Sequence, residues 1–189
     1  MLKKSGGKIR IIGGIWKRST LQVLDLDGLR PTGNRQREML FNWLSSRIDT
    51  PTSLRTLDLF AGTGALSFEA ASRGFKECIL IEKNPVAARV IRNNIDKLQA
   101  QSMKLKTGNA LELIGDLPGL FDIIFIDPPF ALDLHVKILP LAVSKLSKNG
   151  FIYLESPHFL DKKNFDQLEL EIIKQEKNGN TTLTLVQKK

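Results

Sequence analysis

A regular alternation of apolar β-rich runs with helical patterns begins at Leu54, and this alternation most constrains the fold of the chain. The order of segments is TLDLF, ALSFEAASRG, CILIE, PVAARVIRNNIDKLQ, MKLKTG, a short helix near Leu111, and FDIIFID. Strands that alternate with helices form a parallel sheet, because each crossover helix returns the chain to the same edge. The apolar runs are nearly continuous, so we expect helices on both faces of the sheet.

The rest of the chain extends this pattern at both ends. A helix from about Leu134 to Leu146 and the strand GFIYLE follow FDIIFID, and two late strands near 168–174 and 181–187 flank EKNGN, which predicts an antiparallel edge hairpin. Near the start, residues 8–12 and 20–26 are β-rich and predict a small hairpin. The segment NRQREMLFNWLSSRI then predicts a helix with Asn34 as its N-cap and Trp43 in its core-facing row.

Net charge divides the chain into a basic start and a nearly neutral remainder. The net charge is +8, and residues 1–50 hold ten Lys/Arg against four Asp/Glu. We therefore expect residues 1–30 to form a basic β-hairpin arm and residues 31–189 to form the main domain. Such an excess is typical of a polyanion-binding surface, and a solubilising face remains the alternative.

Composition excludes several classes of protein. With 189 residues and 42% hydrophobic content, one main domain is expected. No run approaches the roughly 20 apolar residues of a membrane span, and no signal-peptide pattern follows the N-terminus, so we expect a cytoplasmic protein. Cys78 is the single cysteine and lies in CILIE, which predicts a core residue. His135 and His158 are isolated, so we expect no metal site.

Ligands of parallel sheets bind beyond the carboxyl ends of the strands, so the residues that follow each strand are the candidates for a site. In LDLFAGTGAL, Gly62 and Gly64 allow a sharp turn and a close approach of the backbone to a ligand. The next strand ends at Glu82, a position from which a carboxylate accepts hydrogen bonds from ribose hydroxyls. Together these features predict a nucleoside-binding site.

The identity of the nucleoside cofactor depends on the residues around these glycines. A dinucleotide fingerprint would have a third glycine where Ser67 stands, and Asp58 lies inside the strand, so hydride carriers fit poorly. The form D-L-x-x-G-x-G, an acidic strand end and a later D-P-P-F resemble the Rossmann-like, class I S-adenosylmethionine-dependent methyltransferases. The resemblance implies a mostly parallel seven-stranded sheet with helices on both faces and an antiparallel edge strand.

The same resemblance implies S-adenosylmethionine as the cofactor. Asp58 and the backbone of 60–64 would border its methionine part, and Asn109 stands where the class often has an Asp facing the adenine amine. The implied cofactor-binding residues are Thr32, Asp58, Phe60, Ala61, Gly62, Thr63, Gly64, Glu82, Lys83, Asn109, Ala110 and Asp127.

The end of FDIIFIDPPF predicts the reacting group of the substrate. Asp127 and the carbonyl of Pro128 can both accept hydrogen bonds from an exocyclic NH2, and Pro129 stiffens the turn. Phe130 offers a flat surface for a base taken out of its stack, and we take these four residues as the catalytic set. An Asp-Pro-Pro turn with a core Phe is the structural alternative. Methylation of a pyrimidine carbon needs a cysteine nucleophile, so a nitrogen target is expected.

Nearly the whole chain resembles the bacterial 16S rRNA guanine-N2 methyltransferases that modify guanine 966 in standard small-subunit numbering. The shared segments are GGIWKRSTL, LRPTGNRQREMLFNWL, DLFAGTGALSFEAASRG, IEKN, DPPF, IYLE and EKNGN. The family usually has W-R-G-R where this chain has Trp16, Lys17, Arg18 and Ser19, so one arginine position is lost. The resemblance implies 16S rRNA as the partner, within a partly assembled small subunit, and a protein that acts as a monomer.

Several residues of the N-terminal part are candidates for RNA contact, and most have a structural alternative. Trp16 would stack on RNA or pack the hairpin onto the main domain, and the residues after LRPT would line the cleft or order the linker. The candidates are Lys8, Arg10, Trp16, Lys17, Arg18, Arg30, Asn34 and Arg35. Glu155 is expected near the cleft, either supporting the site or as a simple strand-end acid.

Three other functions remain open on the sequence. A DNA adenine-N6 or a protein glutamine methyltransferase would use the same amine clamp, although those enzymes more often carry Asn in place of Asp127. A ribosome-assembly protein that only binds RNA would predict decay of the glycine turn or of the clamp. Both motifs are intact in this chain.

Overall fold

The structure is a computed structural model that describes residues 7–23, 33–129 and 134–189. Its strands are β1 (Lys8–Arg10), β2 (Thr20–Gln22), β3 (Arg55–Asp58), β4 (Glu77–Glu82), β5 (Met103–Thr107), β6 (Phe121–Ile126), β7 (Leu146–Ser156), β8 (Leu170–Asn178) and β9 (Thr181–Lys188). Its helices are α1 (Asn34–Ser45), α2 (Ala65–Ser72), α3 (Pro85–Leu98), α4 (Ala110–Leu113), α5 (His135–Ser144) and α6 (Lys162–Asp166), with a 3₁₀ turn at Pro51–Ser53.

The main sheet confirms the predicted architecture. Its strand order is β5-β4-β3-β6-β7-β9-β8, and β5, β4, β3, β6 and β7 run parallel to one another. β9 pairs antiparallel with both β7 and β8, so the last two strands form the expected hairpin at one edge. The carboxyl ends of the parallel strands therefore meet along one side of the molecule.

The apolar run of β6 is explained by burial on both faces of the sheet. Ile123 and Phe125 belong to the core under α1, α2 and α3, whereas Phe121, Ile124 and Ile126 belong to the core under α4, α5 and α6. All five side chains are 0% exposed. A central parallel strand covered by helices on both sides buries apolar residues on both faces, which is why the run does not alternate; Asp122, near the start of the strand, is half-buried and accepts hydrogen bonds from the Arg55 N–H and Ser147 Oγ.

The N-terminal hairpin forms as expected and is docked on the main domain. β1 pairs antiparallel with β2, and Ile9, Ile11, Leu21 and Val23 are buried in the same core as the α1 and α2 side chains. β2 is also bonded to α3, because Gln22 and Asn94 exchange two hydrogen bonds of 3.1 and 2.9 Å. The strands are shorter than expected within the described residues, and the predicted extension over 24–26 lies outside them.

The turn of this hairpin, residues 12–16, sits against the second half of α2. Trp16 donates its backbone N–H to Ser72 Oγ at 2.9 Å, and Ser72 Oγ in turn donates to the Gly13 carbonyl at 2.6 Å. Gly14 has φ +75, and a Cβ at this position would lie 1.8 Å from the Ser72 carbonyl oxygen. Only glycine permits this contact, so the GG of the opening segment serves to dock the hairpin.

The start of α1 corrects one prediction. Asn34 is not the N-cap: Gly33 holds that position, and its N–H donates to Gln36 Oε1 at 2.7 Å. Asn34 is the first helical residue and its Oδ1 accepts from Arg37 Nη2 at 2.5 Å. The side chain of Gln36, the third helical residue, therefore caps the helix. The Asn34 side chain instead accepts its hydrogen bond from Arg37, one turn further along α1. Trp43 is half-buried and packs against the core.

Candidate active site

A cavity of about 380 Å³ runs along the carboxyl edge of the main sheet. The part over β3, β4 and β5 is lined by Asp58, Leu59, Phe60, Ala61, Gly62, Thr63, Ala65, Leu66, Ile81, Glu82, Lys83, Gly108, Asn109, Ala110 and Leu111. The part over β6, β7 and β9, together with α1 and α5, is lined by Gln36, Asp127, Pro128, Pro129, Leu134, Glu155 and Thr181. The cavity thus joins the two sets of strand-end residues expected from the sequence.

The glycine turn closes one wall of the cavity. Gly62 and Gly64 have φ values of 54 and 76, in the region that disfavours other residues, and α2 begins directly after the turn. Gly64 lies behind the turn rather than in the cavity lining, and a Cβ there would approach Phe68 to 3.0 Å. Gly64 therefore permits the turn to pack onto α2, while Gly62 presents backbone to the cavity.

Glu82 ties the end of β4 to this turn. Its Oε2 accepts from the Gly62 N–H at 2.7 Å, and its Oε1 accepts from the Asn84 N–H at 2.7 Å. The side chain is 9% exposed and lines the cavity. Burial raises the pKa of Glu82, and hydrogen bonds from the backbone of Asn84, Gly62 and Lys83 oppose that rise.

Asp58 is the most deeply buried carboxyl group of the cavity wall, with 2% exposure. Burial raises its pKa to about 7; the hydrogen bond from Ser67 opposes the rise, and the charges of Asp127 and Glu82 add to it. Ser67 Oγ donates to Asp58 Oδ2 at 2.9 Å. Ser67, which stands where a dinucleotide fingerprint would have its third glycine, is thus the hydrogen-bond partner of Asp58 at the end of β3.

Asn109 follows β5, lines the cavity there, and is the N-cap of α4. Its Oδ1 accepts from the Leu111 N–H at 3.2 Å, and its Nδ2 donates to Glu112 Oε1 at 2.9 Å. Lys83 and Ala110 line the cavity beside it. The Asn side chain is therefore already oriented by the start of α4.

The D-P-P turn forms the other half of the site. Asp127 is half-buried, Pro128 is buried and Pro129 is exposed, and all three line the cavity. Phe130, the fourth residue of the expected catalytic set, lies outside the described residues, as do Thr32 and Arg30. The structure thus brings the D-P-P turn into the same cavity as the glycine turn.

Glu155 stands beside this turn, as the sequence led us to expect. It is 3% exposed and lines the cavity, and its Oε1 accepts from the Tyr153 hydroxyl at 2.8 Å. His135 Nε2 donates to the Glu155 carbonyl at 2.6 Å. Burial, followed by the charge of Glu155, raises the pKa of Tyr153 well above its usual range, so the phenol stays a donor at neutral pH.

Sequence reasoning missed two polar residues of the cavity. Gln36 on α1 lines it, whereas the neighbouring candidates Asn34 and Arg35 are exposed and do not line it. Thr181, the first residue of β9, also lines it and is 5% exposed. The signal for Gln36 was its place in the first turn of the helix after LRPTG, where a long polar side chain reaches the cavity.

The basic candidates of the hairpin are separate from the cavity. Lys8, Arg10, Lys17 and Arg18 are exposed, and none of them lines it. Trp16 is half-buried and packs against the core, which favours the packing interpretation. RNA contact by these residues stays a prediction.

Cys78 lies inside β4, is 0% exposed, and has a pKa raised to about 12 by burial. The prediction of a core cysteine is confirmed.

Within residues 7–23, 33–129 and 134–189, no helix is long and apolar enough to cross a membrane. The same residues contain no group of three or more His, Cys, Asp or Glu side chains that could hold a metal ion.

Comparison with known proteins connects this cavity to a family. A family model described as conserved hypothetical protein 95 matches residues 9–187. Ribosomal RNA small subunit methyltransferase D of Escherichia coli (strain K12) is 38% identical over 152 residues, covering 79% of this chain and 75% of that protein.

Solved structures share the fold over most of the chain. A putative methyltransferase, yhhF from Escherichia coli, superposes with a TM-score of 0.82 at 32% identity and covers 97% of this chain and 99% of that one. SMU.776, a putative methyltransferase complexed with SAH, shares the fold alone, with a TM-score of 0.69, 16% identity, and coverage of 89% and 53%. The chain has the class I methyltransferase fold and belongs to the conserved hypothetical protein 95 family, as a relative of the ribosomal RNA small subunit methyltransferases D.

Proposed function

We propose that this protein transfers a methyl group from S-adenosylmethionine to the exocyclic N2 amine of a guanine in 16S rRNA, and that the target is guanine 966. The observation that carries the proposal is the single cavity that holds the glycine turn with Glu82 at one end and Asp127 with Glu155 at the other. Cofactor and base would meet between these ends. The family relationship adds ribosomal RNA as the substrate class.

The residues over β3, β4 and β5 fit S-adenosylmethionine. Gly62 brings backbone to the cavity, Glu82 offers a carboxylate at the position that suits ribose hydroxyls, and Asn109 stands at the adenine end. Asp58 and the backbone of 60–63 border the methionine part. When bound, the cofactor supplies an electrophilic methyl group on a sulfonium, and no metal takes part in the proposal.

The residues over β6 act on the amine. Asp127 and the Pro128 carbonyl accept hydrogen bonds from the two N2 protons, which makes the amine more pyramidal and turns its lone pair toward the methyl group. The nitrogen forms a bond to the methyl carbon while the carbon–sulfur bond breaks, with its electron pair remaining on sulfur. The nitrogen then loses one proton, which Asp127 receives and passes to solvent. Phe130 stacks on the base.

RNA binding is assigned to the N-terminal hairpin of β1 and β2 in this proposal. Lys8, Arg10, Lys17 and Arg18 are exposed cations on an element fixed to α2 and α3. A cleft that accepts one base buries too little surface to hold an rRNA, so phosphate contacts by the hairpin would supply most of the affinity. The protein would act as a monomer.

The experiment that tests the proposal is methyl transfer with mapping of the product. The protein is incubated with labelled S-adenosylmethionine and, in parallel, with unmodified small subunits, partly assembled subunits and free 16S rRNA. We expect N2-methylguanine at position 966 in at least one of these substrates. Label on an adenine, on DNA or on a glutamine side chain would replace the proposal with an adenine-N6 or a protein glutamine methyltransferase. RNA binding without methyl transfer would favour a ribosome-assembly protein that only binds RNA.

A further inference from the structure

We infer that Glu155 reads the target base by accepting a hydrogen bond from the N1–H of guanine, and that it is the residue which rejects adenine. The inference rests on the proposed function and deepens it. It concerns a side chain that the amine clamp itself does not use.

Two neighbouring strands deliver two carboxyl groups to the same part of the cavity. β6 and β7 are paired so that Ile126 lies opposite Leu154; Asp127 follows the last residue of β6, and Glu155 follows Leu154 within β7. Both Asp127 and Glu155 line the cavity. Neighbouring parallel strands lie about 4.8 Å apart, so two carboxyl groups that follow adjacent strand ends can approach adjacent donors on one edge of a base.

Glu155 is held in place from its own strand and from α5. Tyr153 donates to one carboxylate oxygen at 2.8 Å, and His135 donates to the Glu155 carbonyl at 2.6 Å. The bond from Tyr153 fixes one carboxylate oxygen of a side chain that lines the cavity, and a carboxylate can accept more than one hydrogen bond. With 3% exposure, the side chain is costly to bury, and carboxylates kept in such clefts are candidates for a functional role.

The Watson–Crick edges of the purines differ in a way that two carboxylates can read. Guanine presents two adjacent donors, N1–H and the N2 amine, whereas adenine presents one amine donor beside N1, which is an acceptor. With the amine at Asp127, Glu155 would accept the N1–H of guanine. Against adenine the same carboxylate would face a lone pair, and a buried acceptor without a donor is strongly disfavoured.

A structural role for Glu155 is the alternative, since it also holds Tyr153 and the start of α5 through His135. A purely structural role predicts that replacing Glu155 slows methyl transfer equally for every base that carries a 2-amine. A base-reading role predicts a change in the ratio between bases. The two roles are therefore separable with a modified substrate.

The test compares guanine with 2-aminopurine at the target position of reconstituted 16S rRNA. 2-Aminopurine keeps the 2-amine but has an acceptor at N1. We expect the wild-type protein to prefer guanine by at least about 100-fold in kcat/KM, in line with sites built to bind a substrate N–H. Glu155→Gln offers an amide N–H to the N1 acceptor, so we expect that preference to fall by at least about tenfold, with faster transfer to 2-aminopurine than wild type.

Controls separate the possible outcomes. Glu176→Gln makes the same change on exposed β8 and should keep the wild-type preference. Calorimetry with S-adenosylmethionine should give the same affinity for Glu155→Gln as for wild type. Equal losses on both bases, or an unchanged preference, would overturn the inference. Failure of the proposed function is a different result: wild-type protein would then form no N2-methylguanine at all.

Discussion

Arg37 Nη1 lies 3.6 Å from Glu69 Oε2, and both side chains are 0% exposed. Glu69 also accepts from the backbone N–H groups of Ile12 and Gly13 at 2.9 and 2.8 Å, and from Arg73 Nε at 2.9 Å. Arg37 Nη2 donates to the Arg10 carbonyl at 3.0 Å. One buried ion pair therefore joins the N-terminal hairpin to α1 and α2, and α2 begins at the glycine turn of the cavity.

Removing Glu69 should destabilise the whole protein. Glu69→Ala leaves the buried Arg37 without its counter-charge and two hairpin N–H groups without their acceptor, so we expect a loss of about 3 to 5 kcal/mol in the free energy of unfolding. Urea denaturation measures it. Glu171→Ala, on the exposed edge strand, is the matched control and should change stability by less than about 0.5 kcal/mol. Similar midpoints for the two variants would contradict the role of the pair.

Glu82→Ala should weaken S-adenosylmethionine binding by about 1 to 3 kcal/mol, the range of lost hydrogen bonds to a charged group. Two interactions would be lost, the proposed contact with the ribose and the bond that holds the Gly62 N–H in the turn. Calorimetry gives the affinity, and Glu82→Gln, which keeps one acceptor oxygen, should lose less. Wild-type affinity in the Ala variant would remove Glu82 from the cofactor site.

Asp127→Ala should separate chemistry from binding. In the proposed mechanism its hydrogen bond is aimed at the reacting amine, so we expect cofactor affinity to stay nearly constant while the methyl-transfer rate falls by at least about tenfold. Single-turnover transfer to the rRNA substrate measures the rate. Asp116→Ala, at an exposed surface position, should leave the rate unchanged. Full activity of the Asp127 variant would end the clamp hypothesis.

Asp58 should make stability fall as the pH rises from about 4 to about 7. Its pKa is near 3.8 in the unfolded chain and about 7 in the folded protein, so the folded state binds more protons across this window. The stabilisation is complete below the pKa of Asp58 in the unfolded chain and is lost as the pH rises through its pKa in the folded protein. Across this window the free energy of unfolding should fall by up to about 4 kcal/mol. Urea denaturation at several pH values measures it. Asp58→Asn should flatten this part of the profile, and identical profiles would refute the assignment.

The hairpin cations should appear in the salt dependence of RNA binding. Each phosphate neutralised on single-stranded RNA contributes about 0.7 to the slope of log K against log salt, so replacing Lys17 and Arg18 with Ala should flatten it by about one unit or more. Cofactor affinity should not change.

A matched control for the hairpin is the double variant Lys76→Ala, Lys148→Ala. It removes the same charge from exposed positions at the start of β4 and β7, at the opposite edge of the main sheet from the cavity. Its salt slope should equal that of wild type. If all three proteins share one slope, the basic hairpin is a solvated face and RNA is bound elsewhere.

Local patterns in the sequence were sufficient for the order of the strands, for the edge hairpin and for the helices except α6, whose five residues were not predicted. The nearly continuous apolar run of Phe121–Ile126, interrupted only by Asp122, required helices on both faces, and the structure has them. The glycine turn and the D-P-P turn were also readable, because a parallel sheet brings the carboxyl ends of its strands to one edge. These features depend on backbone geometry and hydropathy, which each segment carries by itself.

Contacts between distant segments could not be derived in this way. Arg37 and Glu69 look like surface charges by hydropathy, and only the docking of the hairpin buries them against each other. Asp127 and Glu155 become neighbours through the pairing of β6 with β7, and Thr181 joins them because β9 inserts between β7 and β8. A buried charge is stable only where the fold supplies its partner, so tertiary structure alone decided which polar residues of this chain form the site.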